Sequence, residues 1–138
     1  MSQAIFVDES AFLALNSPIA PEHEDAIHYV NSLMDQTVRV VTNEWAIAIT
    51  ASELKQKNGS QIAARFLSLL DDGGVKVYPM KDEIMEHAES LFLQHEHQSD
   101  ISYIDCIHVA FMEQYQITKM FTFKEQMKRM NVLAVPKK

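Results

Sequence analysis

Two aspartates, Asp8 and Asp105, are the residues of this sequence best suited to metal chemistry. Asp8 ends the strand-like run at residues 5–8 and is followed at once by a predicted helix. In a parallel α/β sheet, ligands and metal ions collect at the carboxyl ends of the strands. A carboxylate held there suits a hard cation such as Mg²⁺. Asp8 is therefore the first candidate for a catalytic or metal-binding residue.

Asp105 is the second candidate, because it lies in the otherwise apolar stretch at residues 101–110. An unpaired carboxylate is costly to bury, so an acid in such a stretch needs a partner. Two interpretations remain open. Asp105 either converges with Asp8 on a metal ion or is a structural charge near the positive end of a helix. Two acids from distant parts of the chain are typical of Mg²⁺ sites but weakly specific.

The elements that must position these acids alternate between strand and helix. Apolar runs predict strands at residues 4–8, 38–41, 75–78, 120–123 and 132–135. Helical spacing predicts helices at residues 9–15, from 21 onward, and at 44–57, 61–70, 81–95, 102–115 and 125–130. Such alternation predicts a parallel sheet with helices on both faces. The expected fold class is three-layer α/β/α with a central parallel sheet, in a single domain spanning residues 1–138.

Composition excludes several classes of protein. Hydrophobic residues make up 47% of the 138 residues and charged residues 22%, as in ordinary globular proteins. No apolar run approaches the roughly 20 residues that cross a bilayer, and no basic segment opens a signal peptide. The single cysteine, Cys106, rules out an internal disulfide framework. We therefore expect a cytoplasmic protein without membrane association.

The net charge of −7 does not favour a protein that coats nucleic acid, but the charge is unevenly distributed. Six cations fall within residues 119–138 against one acid, Glu125. These cations are Lys119, Lys124, Lys128, Arg129, Lys137 and Lys138. They either form a solvated face near the C-terminus or face a phosphodiester backbone.

Four segments in order along the chain resemble the signature blocks of PIN domains. They are residues 5–11, 21–26, 100–106 and 120–124. The resemblance is closest to small single-domain PIN proteins, many of which are VapC-like ribonuclease toxins of bacterial toxin–antitoxin pairs. It implies an α/β/α fold and RNA cleavage with Mg²⁺ or Mn²⁺. It also implies an antitoxin-like protein partner and a homodimer.

The resemblance further implies a four-acid site, which this sequence keeps only in part. Asp8 matches the first acid and Asp105 the third, so both would bind metal and act in catalysis. The second acid falls at Ala48 or Ile49, and the fourth at Lys124. Two acids are thus lost, and we expect weakened or absent cleavage. The alternative is a non-catalytic PIN-like module that binds RNA or a protein partner.

Several neighbouring residues are candidates to assist or replace the lost acids. These accessory candidates are Glu44, Glu53, Ser102, Asp100, Lys124 and Glu125. A substitute acid on the helix at residues 44–57 would have to move by about one helical pitch, ~5.4 Å.

Ser102 is expected to cap its helix or line the site. The Lys124 ammonium is expected either between Asp8 and Asp105 or in solvent. His108 is expected in the core, at the surface or at the pocket edge, and Trp45 in the core. Met34 is expected on the apolar face of the helix that begins at residue 21.

Overall fold

A computed structural model of the protein describes residues 3–137. Lys138, counted above among the basic residues, lies outside the described residues. The strands are β1 (Gln3–Val7), β2 (Val38–Thr42), β3 (Val75–Val77), β4 (Lys119–Phe121) and β5 (Leu133–Val135). The helices are α1 (Glu9–Asn16), α2 (His23–Ser32), α3 (Glu44–Asn58), α4 (Ser60–Asp72), α5 (Asp82–Gln94) and α6 (Tyr103–Gln114). A 3₁₀ helix, Glu125–Arg129, precedes β5.

The five strands form one parallel sheet in the order β3-β2-β1-β4-β5. Ile5 in the central strand lies opposite Val40 on one side and Lys119 on the other. The chain starts in the middle of the sheet and adds strands outward in both directions. This is the predicted three-layer α/β/α fold with a central parallel sheet, and the prediction is confirmed.

Side chains that alternate along β1 enter two separate cores, one on each face of the sheet. Phe6 packs with Ile107 and Phe111 of α6 and with Ile84 of α5. Ile5 and its alternating partners pack on the other face against α1 to α4, with Phe12, Ala26, Leu54 and Phe66. The period of two along β1 therefore determines which of its side chains face α1 to α4 and which face α5 and α6.

Polar caps mark the helix starts that position the candidate residues. β1 ends at Val7, one residue before the predicted end, and Asp8 is the N-cap of α1. Asn43 caps α3 and Ser102 caps α6, in each case through a side-chain oxygen that accepts a backbone N–H of the first turn. Such caps satisfy donors that a helix start leaves without partners.

Two apolar residues lie farther out than the sequence pattern predicts. Trp45 was expected in the core but is 44% exposed, and Met34, on the predicted apolar face of α2, is 78% exposed. Met34 follows the end of α2 at Ser32, so the helical face does not extend to it. Among residues 3–137, the helices are all too short or too polar to span a membrane.

Candidate functional site

Asp8 is fully buried, and both of its carboxylate oxygens accept hydrogen bonds from the protein. Oδ1 accepts the Ser10 hydroxyl at 2.6 Å and the Ala11 backbone N–H at 3.0 Å. Oδ2 accepts the Thr122 hydroxyl at 2.5 Å. Asp8 therefore caps α1 and also ties this helix to the segment that follows β4.

Opposing effects act on the pKa of Asp8. Burial raises it, because the charged form loses its hydration, and the neighbouring Glu9 charge raises it further. The Lys124 charge and the hydroxyl donors act in the opposite direction but are outweighed. The result is a pKa above the ordinary value for aspartate, so Asp8 accepts a proton more readily than an exposed carboxyl would.

Glu9 joins Asp8 at this site, although the sequence motifs had not identified it. It is only 4% exposed, and its two carboxylate oxygens have different partners. Oε1 accepts His108 Nε2–H at 2.6 Å, and Oε2 accepts the Lys124 ammonium. Burial alone would raise the pKa of Glu9, but the His108 hydrogen bond and the Lys124 charge outweigh it and lower the pKa to about 2. Glu9 is thus an ionised, buried carboxylate.

His108 is fully buried, in agreement with the core placement among those expected. Its Nδ1 faces the side-chain nitrogen of Asn43 at 3.2 Å. The Asn43 side-chain oxygen is committed to the Ala46 backbone N–H at 2.9 Å, so the amide must turn its NH₂ group toward the ring. Nδ1 therefore accepts, and the ring proton lies on Nε2, where it is donated to Glu9. The Asn43 cap of α3 thereby orients the His108 ring toward Glu9.

Asp105 is fully buried in the first turn of α6, and its contacts are shared between capping and the site. Its Oδ2 accepts the Ser102 backbone N–H at 3.0 Å and the Gln126 side-chain amide at 3.2 Å. The Ser102 hydroxyl in turn accepts the Asp105 backbone N–H at 3.1 Å, which completes a capping box. Ser102 therefore caps its helix, which is one of its two expected roles. Asp105 takes part in the same cap as a carboxylate in the first turn of α6.

Lys124 closes the acidic cluster. Its Nζ donates to Asp105 Oδ1 at 2.9 Å and to Glu9 Oε2, and only 20% of the side chain is exposed. The expectation that the Lys124 ammonium lies in solvent is thus wrong. The other expectation placed it between Asp8 and Asp105, whereas it bridges Asp105 and Glu9. Burial lowers the pKa of Lys124, but the negative charges of Glu9, Asp105 and Asp8 more than reverse this and raise it.

The candidate substitutes on α3 lie at its surface. Glu44 is exposed, and Glu53 is partly buried and pairs with Lys57 at 3.5 Å on the same helix. Ala48, at one of the two positions expected for the second acid, is exposed as well. No contact joins either glutamate to the cluster within residues 3–137.

The remaining acidic candidates are paired with surface cations. Asp100 is exposed and forms an ion pair with Arg129. Glu125 is exposed and pairs with Lys128 at 2.9 Å, within the 3₁₀ helix that follows Lys124. These exposed ion pairs favour the interpretation in which Lys128 and Arg129 belong to a solvated face near the C-terminus.

The residues of the cluster do not fit a divalent cation as they lie. A Mg²⁺ site needs several free oxygen ligands, whereas Glu9 Oε2 and Asp105 Oδ1 contact an ammonium and the Asp8 oxygens contact hydroxyl and amide donors. Across residues 3–137, no three carboxylate, imidazole or thiol side chains are grouped so as to hold a metal ion. The Lys124 ammonium, and not a metal ion, is the cation that the Glu9 and Asp105 carboxylates contact.

The fold agrees with a comparison of the whole chain with protein-family models. A family model described as the PIN domain matches residues 5–133. The chain belongs to the PIN domain family. PIN nucleases generally use divalent metal ions. A comparison with curated protein sequences finds no significant match.

Solved structures share this PIN fold over nearly their whole length. Mycobacterium tuberculosis VapC20, a Sarcin-Ricin loop cleaving toxin, is 20% identical, with a TM-score of 0.84 over 94% of this chain and 96% of that chain. VapBC2 from Rickettsia felis, bound to a DNA fragment from its promoter, is 8% identical, with a TM-score of 0.74 over 96% and 97%. VapBC-1 from nontypeable Haemophilus influenzae is 15% identical, with a TM-score of 0.68 over 96% and 96%. At these identities the similarity is one of fold.

Proposed function

We propose that the protein is a VapC-type, ribonuclease-like PIN protein in which the Lys124 ammonium replaces the catalytic metal ion. Metal-dependent RNA cleavage is then weak or absent, although Asp8 and Asp105 keep the positions of metal-binding catalytic acids. One observation carries this proposal: the ammonium contacts both Glu9 and Asp105. Membership in the PIN family supports the ribonuclease-like part of it.

The chemistry explains why a lysine in this place suppresses cleavage. A divalent metal ion activates a water molecule and stabilises charge on the phosphate during displacement. An ammonium neutralises the same carboxylates but carries one charge and coordinates no water. Removing acids and adding a cation both reduce the affinity of the cluster for Mg²⁺ or Mn²⁺.

The same lysine favours a second candidate function, a non-catalytic module that binds RNA or a protein partner. One fifth of the Lys124 side chain is exposed, so its ammonium can meet a phosphate as a point charge. The VapBC structures among the neighbours contain toxin–antitoxin pairs, which supports an antitoxin-like partner for this chain. A homodimer is part of the same proposal.

Calorimetric titration with Mn²⁺ and Mg²⁺ tests the proposal directly. We expect no saturable binding by the wild type at millimolar metal and saturable Mn²⁺ binding by Lys124→Asp, because that change adds a carboxylate and removes the competing charge. Lys128→Asp makes the same charge change at an exposed position and should behave like the wild type. RNA cleavage is then measured on the same proteins with each metal.

The opposite result would restore the catalytic interpretation. If the wild type binds Mn²⁺ saturably, cleaves RNA, and loses both properties in Asp8→Asn, the site works with fewer acids and Lys124 moves aside. If Lys124→Asp folds but binds no metal, the lost second acid is the decisive defect. In that case the ammonium is not the cause of inactivity, and the proposal in its present form is wrong.

A further inference from the structure

A pocket with a polar lining lies between α2 and the strands β1, β4 and β5. Its volume is about 300 Å³, and Ile5, Leu133 and Val135 supply most of its apolar wall. The polar side chains that line it are Gln3, Tyr29, Ser32, Gln36, Lys119 and Lys137. Each of them has a group able to donate a hydrogen bond, and no acid lines this pocket among residues 3–137. The pocket therefore offers many donors and two positive charges.

Lys119 is the unusual residue of this pocket. Within residues 3–137, Lys119 and Lys124 are the two lysines that are not exposed. Lys124 contacts two carboxylates, whereas Lys119 donates to the Gln3 side-chain oxygen at 3.0 Å and forms no ion pair with a described residue. The Gln3 amide orients the ammonium but is neutral, so the charge of Lys119 stays uncompensated. A partly buried cation without a counter-ion is a place where an anion is stabilised.

Lys137 and Tyr29 add donors to the same lining. Lys137 is exposed and likewise forms no ion pair in the part of the chain that the structure describes. The Tyr29 ring packs against Phe121 with the ring centroids 4.8 Å apart, which fixes the ring beside the pocket. Its hydroxyl makes no hydrogen bond to a described residue. Burial raises the pKa of Tyr29, so this hydroxyl stays protonated and can donate at neutral pH.

An adjoining pocket extends the first one and shares three lining residues with it, Tyr29, Ser32 and Lys137. Its volume is about 380 Å³, and Asp25, His28 and Pro136 also line it. The rings of Tyr29, His28 and Pro136 offer apolar surface to a planar group. The Asp25 carboxylate can accept hydrogen bonds from amino or hydroxyl groups. The two pockets thus combine cations at one end with rings and an acceptor at the other.

We propose that the two pockets form a binding site for a nucleoside phosphate, with the phosphate between Lys119 and Lys137 and the base near His28. A phosphate has several acceptor oxygens and more than one negative charge, which matches two ammonium groups and the hydroxyl and amide donors beside them. Its source is either a free nucleotide or the terminal phosphate of an RNA strand, because both present the same group.

This site is separate from the Lys124 cluster. Lys119 begins β4, whereas Lys124 follows the opposite end of that strand. The inference therefore goes beyond the proposed function and does not depend on whether Lys124 replaces a metal ion.

Adenosine 5′-monophosphate and adenosine serve as the first two probes. Binding to the full chain is measured by calorimetry in the presence of EDTA, and the contact surface is located by the methyl chemical shifts of Leu133 and Val135. We expect the monophosphate to bind about tenfold more tightly than adenosine, because its phosphate makes charge-assisted hydrogen bonds. This advantage should shrink at high salt.

Matched variants separate the pocket from the overall charge. Lys119→Gln is compared with Lys76→Gln, which removes the same charge from an exposed position on β3 outside both pockets. Lys119→Gln should weaken binding of the monophosphate about tenfold, and Lys76→Gln should change it by less than about twofold. Tyr29→Phe keeps the ring against Phe121 and removes only the hydroxyl, so it should fold and weaken binding about threefold.

A short RNA with and without a 5′-phosphate identifies the source of the group. Binding of the monophosphate that Lys119→Gln weakens points to a free nucleotide. Binding of RNA alone that needs the 5′-phosphate and is weakened by the same variant points to the end of a strand.

Four results would overturn the inference. They are no binding of either ligand, equal binding of adenosine and its monophosphate, equal weakening by Lys119→Gln and Lys76→Gln, and shift changes confined to the first turns of α1 and α6. The last result would place the ligand at the Lys124 cluster. Metal titration reports on that cluster, and these measurements are made in EDTA, so failure here and failure of the proposed function are distinguishable.

Discussion

The Lys124 ammonium lies 2.9 Å from Asp105 Oδ1 and also contacts Glu9, which makes it the centre of charge in a buried acidic cluster. Glu9 comes from the start of α1 and Asp105 from the start of α6, so the lysine joins two helices on opposite faces of the sheet.

Replacing Lys124 by methionine should destabilise the protein. The change leaves Glu9 and Asp105 buried without their cation, and breaking a buried ion pair costs about 3 kcal/mol or more. Urea unfolding at neutral pH measures the loss. Lys128→Met provides the control, because its pair with Glu125 is exposed and should change the free energy of unfolding by no more than about 0.5 kcal/mol. Equal effects of the two changes would contradict a buried role for Lys124.

The stability of the protein should depend on Glu9 in acid. Its pKa is about 2 in the folded state against 4.5 ordinarily, so the unfolded chain binds protons first as the pH falls. The stabilisation is therefore present above about pH 4.5 and lost toward pH 2, and it amounts to on the order of 3 kcal/mol.

A Glu9→Gln variant isolates this effect. Its free energy of unfolding should fall less steeply between pH 5 and pH 2 than that of the wild type, because glutamine does not titrate. The raised pKa of Asp8 acts in the opposite direction in both proteins, and it should be raised less in Glu9→Gln because the Glu9 charge is gone. Parallel curves from urea unfolding at each pH would show that Glu9 is not held ionised by His108 and Lys124.

Asp8 should tolerate asparagine better than alanine. Asparagine keeps a side-chain oxygen for the Ala11 backbone N–H and removes a buried charge, so the cap of α1 survives. Alanine removes the cap and leaves the Ser10 and Thr122 hydroxyls without their acceptor. We expect Asp8→Ala to be less stable than Asp8→Asn by about 1–2 kcal/mol in thermal unfolding. Equal melting temperatures would show that the cap contributes little.

The His108 ring should donate through Nε2–H to Glu9 and accept at Nδ1 from Asn43. The Asn43 amide is oriented by its bond to the Ala46 backbone N–H and must donate to Nδ1, which leaves Nε2–H for Glu9. Long-range proton–nitrogen correlation spectra distinguish the two ring nitrogens. Asn43→Asp replaces this donor by an acceptor, so it should change the Nδ1 resonance more than the Nε2 resonance. A ring protonated on Nδ1 in the wild type would contradict this arrangement.

Local features of the sequence were enough to predict the elements of this fold. Apolar runs, helical spacing and capping residues act over a few neighbouring residues, and they placed all five strands and the helices within a few residues of their observed bounds. Alternation of strand and helix then predicted a parallel sheet covered on both faces. The same local signals misplaced Trp45 and Met34, because periodicity does not show where a neighbouring layer ends.

The buried acidic site was only partly predictable from its residues. Asp8 was identified by its position at the end of a strand, and Asp105 by its position as an acid in an apolar stretch. Glu9 was missed, although its place directly after Asp8 in the first turn of α1 was the available signal. His108 lies one turn after Asp105 on the same helix face and was the second signal, but its position in the core, at the surface or at the pocket edge was left open.

Hydrogen bonds and charge pairs depend on distances in space, and the decisive ones join residues far apart in the chain. His108 and Glu9 are 99 positions apart, and Lys124 and Glu9 are 115. The sequence by itself therefore determined the layers of the fold, the residues that can cap its helices, and the choice of Asp8 and Asp105 as candidates. Only the tertiary structure decided that Lys124 contacts Glu9 and Asp105. Packing of α1, α6 and the segment after β4 brings these groups together, and no local pattern records that packing.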